Sequence, residues 1–210
     1  MARQVSKGER RLETWSAILM SIATIATAWC AYQSAEWGGE QSFMLGESMR
    51  AGREASLQAA LASQRRSLDA ALFMEWIGAI ATDNEKLEDF YLERFRPGMR
   101  VAVDAWLATE PRTNPDAPPH PFVLPEYTVE QDSIAAGADL ESKEMWALAR
   151  QYDQRGDRYV LLTVIFASVL FFGGISEKFE DNQVRVWILV MGTLLFTGAF
   201  GLMLSYPVWL

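Results

Sequence analysis

The chain has 210 residues, half of them apolar, with 19 Lys and Arg against 27 Asp and Glu and a formal net charge of −8. That balance argues against nucleic acid as a partner, and a single cysteine excludes an internal disulfide. The charges are unevenly spread: none falls between Glu13 and Glu36, between Arg158 and Glu177, or from Val186 to Leu210. Crossing a hydrocarbon core takes roughly 20 apolar residues. The sequence therefore predicts an all-α integral membrane protein with three transmembrane helices, over 14–35, 159–176 and 186–207.

Residues 1–13 form a basic leader carrying Arg3, Lys7, Arg10 and Arg11. The apolar run behind it is longer than the core of a secretory signal and no small-x-small cleavage site follows, so the segment reads as a retained span. Lys and Arg near short loops mark the cytoplasmic side, which places the leader and loop 177–185, with Lys178 and Arg185, in the cytoplasm. The region 36–158 and the C-terminus then lie outside it. Cys30, inside the first span, reads as a small apolar residue.

Beyond the first span, Gly38 and Gly39 suggest a kink. From Ser42 to Ala81 no proline interrupts, and Leu57, Leu61, Leu68, Leu72, Trp76 and Ile80 mark one apolar face of an amphipathic helix. Thr82 with Glu85 fits a capping box opening a second helix that carries Leu87, Phe90, Tyr91 and Phe95. Pro97 suits the first position of a third helix running to Thr109. Residues 111–127 concentrate prolines around the apolar anchors Phe122, Val123, Leu124 and Tyr127, which predicts a stiff corner folded back on the outer helices rather than a disordered linker. Thr128 with Gln131 repeats the capping pattern ahead of a helix that runs into the second span, with Ala138, Met145, Tyr152 and Tyr159 at sevens. The expected outer region is a helical bundle or stalk rooted in the membrane at both ends.

Chemistry-bearing residues are sparse. Asp83, Glu85, Glu88 and Asp89 form a carboxylate patch that suits either a hard cation or a capped helix start. His120 has no Cys or His near it in sequence, so no metal site and no cofactor is expected. Arg94, Arg96 and Arg100 sit among aromatics and suit an anion or a lipid headgroup; aromatic packing is the competing reading. Thr193, Thr197, Gly201 and Ser205 repeat at fours in the third span, and Ser21 and Thr24 lie on a small-residue face of the first. Such faces pack helices, within one chain or between copies, or line a pore shared by several copies. There is no GxxxxGK[ST] loop, no HExxH and no CxxC.

The stretches EWGGEQS, DFYLERFRP, AWLATEP, NPDAPPHPFVLPEY and YVLLTVIFASVLFF, spread from Ala28 to Phe172, together resemble a family of uncharacterised bacterial three-span membrane proteins. The resemblance implies a bacterial inner-membrane location and supplies no activity. The expectation is a non-enzymatic protein, homo-oligomeric and in contact with membrane lipid, whose outer helical region senses, scaffolds or binds an envelope partner. A homo-oligomeric cation-permeable channel is the alternative. An enzyme using Glu85, Glu88 and Asp89 is the third possibility.

Overall fold

The computed structural model describes residues 7–209, so Arg3 and the rest of leader residues 1–6 lie outside the described residues. The described chain is all-helical. Its elements are α1 (Lys7–Ala81), α2 (Glu85–Leu92), α3 (Pro97–Leu107), a 3₁₀ turn at Pro121–Val123, α4 (Glu130–Ser176) and α5 (Asn182–Ser205). Three of them, α1, α4 and α5, are long and apolar enough to cross a membrane. The chain divides into two compact units. The first combines α1 up to Glu47 with α4 from Glu144 onward and α5; the second is Ser48–Lys143.

In the first unit the buried positions of α1 are Ser16, Leu19, Ala23, Ala26, Cys30, Gln33 and Trp37, alternately three and four residues apart. This is the seam of a helix packed lengthwise on a partner. Small residues dominate it, which lets backbones approach. The Ser16 hydroxyl donates to the Gly173 carbonyl of α4 at 3.2 Å. A Cβ added at Gly173 would lie 2.6 Å from Met20 Cγ, so any larger residue there would force the Met20 side chain to move. Further along, Cys30 and Trp37 pack with Tyr159, Leu162 and Phe166 of α4 and with Ala199 of α5. Gly192 brings α5 against Phe172 and Leu19.

Beyond α5, Tyr206–Trp209 forms a strap held by side chains of the other two helices. The fully buried Gln33 accepts from the Trp209 N–H at 2.8 Å and donates to the Trp209 carbonyl at 3.2 Å. The Tyr159 hydroxyl donates to the Pro207 carbonyl at 3.2 Å. An extended backbone end needs its polar groups paired when it packs into apolar surroundings, and one primary amide supplies both partners.

In the second unit, α1 and α4 meet through a reciprocal serine pair. Ser48 Oγ donates to the Ser142 carbonyl and Ser142 Oγ to the Ser48 carbonyl, each at 2.9 Å. The core below contains Phe73 and Trp76 of α1, Phe95, and Met99, Val103 and Trp106 of α3, with Phe122, Leu124 and Tyr127 packed on it.

Several local expectations are corrected. No break occurs at Gly38–Gly39: α1 runs through both, and no glycine among the described residues has positive φ. Thr82 does not open α2; its hydroxyl donates back to Gly78 and Ala79 carbonyls, closing α1, and Asn84 Oδ1 caps α2 by accepting from Leu87 N–H. Phe95 falls in the turn after α2, not in a helix. Pro97 does open α3. The α4 helix begins at Glu130, two residues past Thr128. Leu57, Leu61 and Leu68 are exposed, whereas Ala51, Ala62 and Asp69 are buried. The close approach at Ser48 and Ser142 turns small residues inward and leaves the leucines outside.

Replacing Gln33 with Leu keeps the volume and removes both strap bonds. Unpaired buried amides cost about 1–3 kcal/mol, so hydrogen exchange at the Trp209 amide should accelerate by roughly tenfold or more. An unchanged rate would show that the strap is held without Gln33.

Candidate functional site

The second unit contains a cleft of about 720 Å³, within the range typical of small-ligand sites. One wall is the end of α1, with Trp76, Ile77, Ile80 and Ala81; the other is Trp106 and Leu107 of α3. Glu88 of α2 and the turn Glu110–Thr113 form its rim.

Each wall has a local cause. Pro97 presets the φ that α3 needs at its first position. From there Met99, Ala102, Val103 and Trp106, spaced by three, one and three, all face inward. Trp106 is fixed further by its Nε1–H, which donates to the Pro118 carbonyl at 2.7 Å, so the proline segment and the cleft wall are one structure. Glu110 adopts φ 53°, in the left-handed region. Its carbonyl accepts from the Thr113 and Asn114 N–H groups, and the Asn114 side chain caps this turn by donating to the Thr109 carbonyl and accepting from Asp116 N–H. Trp76 is almost fully buried, and its indole N–H has no partner among the described residues.

The same unit contains a polar knot. Asp69, 5 % exposed on α1, accepts at Oδ2 from Arg96 Nε and from the Tyr127 hydroxyl, both at 2.8 Å. Arg96 Nη2 also stands 2.7 Å from that oxygen, an ion-pair distance without hydrogen-bond alignment. Arg96 Nη1 donates to the Thr128 carbonyl at 2.6 Å. Burial alone would pull the Arg96 pKa down, but its bonds to Asp69 and Tyr127 outweigh that and raise it. Burial first, and then the bond to Asp69, push the Tyr127 phenol up to about 12, against a lowering influence of Arg96.

The three arginines singled out from sequence are thus engaged separately. Arg94 stacks 3.5 Å over the Phe90 ring and donates to the Phe90 carbonyl. Arg96 belongs to the knot. Arg100 pairs with Asp104 and donates to the Leu92 carbonyl. The carboxylates divide as well: Glu85 and Glu88 lie in the first turn of α2, Asp83 takes a left-handed turn at φ 52°, and Glu88 alone reaches the cleft. Among the described residues no cluster of three metal-ligating side chains occurs. His120 packs beside Phe122, with ring centroids 5.5 Å apart.

In the first unit, Ser21, Thr24, Thr197 and Ser205 are exposed and donate to carbonyls three or four residues earlier on their own helices. Thr193 does the same and also accepts from Trp15 Nε1 at 3.3 Å. Gly201 has open space around it. Among the described residues, then, Thr193 joins α5 to α1, while the hydroxyls of Ser21, Thr24, Thr197 and Ser205 bond only within their own helices. Sequence reasoning missed Asp69, Gln33 and the placing of Trp76 and Trp106 on one cleft. The first carries no local signal, because the partners of Asp69 lie far along the chain.

Compared with known proteins, the chain matches no protein-family model, no curated protein and no solved structure.

Two outcomes test the knot. Asp69→Ala leaves the Arg96 guanidinium, with 22 % of its side chain exposed, largely enclosed without its counter-charge. That should cost about 3 kcal/mol, read as a lower denaturation midpoint by tryptophan fluorescence. Tyr127 has a folded pKa raised above the ordinary 10, so its contribution is complete below pH 10 and is lost as pH rises toward 12. Stability should fall across that window more steeply in the parent chain than in Tyr127→Phe, measured by denaturant melts at each pH.

Proposed function

We propose that this is a non-enzymatic protein of the bacterial inner membrane whose second unit binds an envelope partner through the Trp76–Trp106 cleft. In this reading the N-terminus and loop 177–185 are cytoplasmic, and the second unit and the C-terminus lie on the outer side. The single observation that carries the binding role is the cleft itself: two indoles from separate helices, an aliphatic lining and a charged rim of Glu88, Glu110 and Arg112. Aromatic walls with few polar groups at the edge are what a site needs to bury an apolar side chain or small ligand. The exposed Leu57, Leu61 and Leu68 support assembly of several copies, since apolar residues on a water-facing helix gain by burial.

A cysteine introduced at Thr113, on the cleft rim, tests orientation and binding together, because Cys30 is buried. A membrane-impermeant thiol-reactive photo-crosslinker added to intact spheroplasts should label this position and, on illumination, yield a discrete adduct. Filling the cleft with Ala81→Trp should cut adduct yield by roughly tenfold, the effect of ~1.4 kcal/mol, without lowering the melting temperature. Absence of labelling would overturn the orientation. Labelling with an adduct indifferent to Ala81→Trp would overturn the cleft.

A further inference from the structure

A second crevice lies in the first unit, between α1 and α5, and it is independent of the cleft. Its volume is about 290 Å³ and its lining is Leu12 and Trp15 of α1 with Val186, Leu189, Val190, Thr193 and Leu194 of α5. The only polar lining atoms near one another are Trp15 Nε1 and Thr193 Oγ1, and these are bonded to each other. The remaining lining is hydrocarbon on two helices that are each apolar enough to cross a membrane.

The same end of both helices carries arginine. Arg11 precedes Trp15 by one helical turn, and Arg185 precedes Leu189 by one turn. Arg10 stands beside Arg11, and both are exposed. Arg185 differs: it is 8 % exposed, and its Nε has no hydrogen-bond partner. Among the described residues no carboxylate forms an ion pair with it. Of the acids nearest in sequence, Glu177 and Glu180 are exposed and the Asp181 side chain caps α5 by accepting from Gln183 N–H. A buried guanidinium without a counter-ion is a costly arrangement, and more so at the end of an apolar helix. Trp15 and Trp187, both exposed on this end, have the residue type that marks the level of lipid headgroups.

We propose that this crevice is a binding site for an anionic phospholipid. One acyl chain lies between Leu12, Trp15, Val190 and Leu194, and the phosphate meets Arg185, with Arg10 and Arg11 attracting its charge. Charge selects this occupant over a second copy of the chain: Arg10, Arg11 and Arg185 lie at the crevice end of α1 and α5, and although Glu9 and Glu13 share that end of α1, no ion pair among the described residues meets the buried Arg185, whose charge a lipid phosphate would neutralise. Basic pockets between membrane helices recognise anionic headgroups by this arrangement.

The full chain, purified in detergent and loaded with equal amounts of phosphatidylglycerol and phosphatidylcholine of the same acyl composition, is the test, read by native mass spectrometry. Phosphatidylglycerol should be retained preferentially, and Arg185→Gln should reduce that preference by about fivefold, the expected effect of one arginine near a charged headgroup. Arg11→Gln, at an exposed position, should reduce it in the same direction in a chain whose fold is undisturbed. Val190→Trp should displace both lipids by filling the crevice. Equal retention of the two lipids by the parent chain overturns the proposal, as does an unchanged preference in both arginine variants. A Val190→Trp chain that keeps its lipid but loses copies would assign the crevice to a second chain instead.

Discussion

The second unit is organised around one buried carboxylate. Removing Asp69 from water is unfavourable unless its charge and lone pairs are met, and a single oxygen of it meets both Arg96 and Tyr127. Those two residues stand at the joints of the unit. Arg96 immediately precedes the proline that opens α3, and Tyr127 ends the proline-rich segment. Once both are tied to α1, α3 has a fixed starting point and the segment before α4 a fixed end. Trp106 then lines the same cleft as Trp76, and Pro118 falls where it receives the Trp106 N–H. A pair of this kind adds little net stability over an apolar replacement. Its effect is selective: any arrangement that separates the three residues strands a charge.

The first unit solves the opposite problem. Where the surroundings are apolar, exclusion from water gives helices no reason to associate, and contact must come from close approach and from polar groups with nowhere else to bond. Ser16 against Gly173 supplies the first, as does Gly192 against Phe172 and Leu19. Gln33 supplies the second. Arg155 above Trp37 and Tyr152 adds cation–π contact at one end of the same helix pair. The two units thus share helices but differ in what holds them: a shared carboxylate in one, small side chains in the other.

Much of the helical layout was legible in the amino-acid order. Charge-free windows located the three membrane-length helices because a charge inside such a window is expensive, and Pro97 marked the start of α3 because its fixed φ suits only a first turn. The apolar anchors of the proline segment were also readable, and Phe122, Leu124 and Tyr127 pack on the core while Val123 turns outward. The inward face of α1 was not. Leucine periodicity outweighs alanine and serine in any reading of sequence, yet the small residues define the seam because they permit the closest approach. The capping residue of α2 was misread for a related reason: Thr82 and Asn84 are both capable caps, and the choice depends on which carbonyls remain unpaired at the end of α1. Asp69 had no local signature at all, since its partners lie 27 and 58 positions along the chain. The cleft shares that obscurity, being built from residues of α1, α2, α3 and the turn after α3 that only tertiary packing makes neighbours.

The hold of Gln33 on Trp209 falls on the backbone of residue 209 and not on its side chain. Such a grip is indifferent to which amino acid occupies the position but strict about how many precede it. With Tyr159 fixing Pro207 two residues earlier, the tail after α5 is measured as well as tied. Inserting a single residue after Ser205 would present the wrong peptide group to both side chains. The tail is in effect a length gauge, tolerant of composition and intolerant of register.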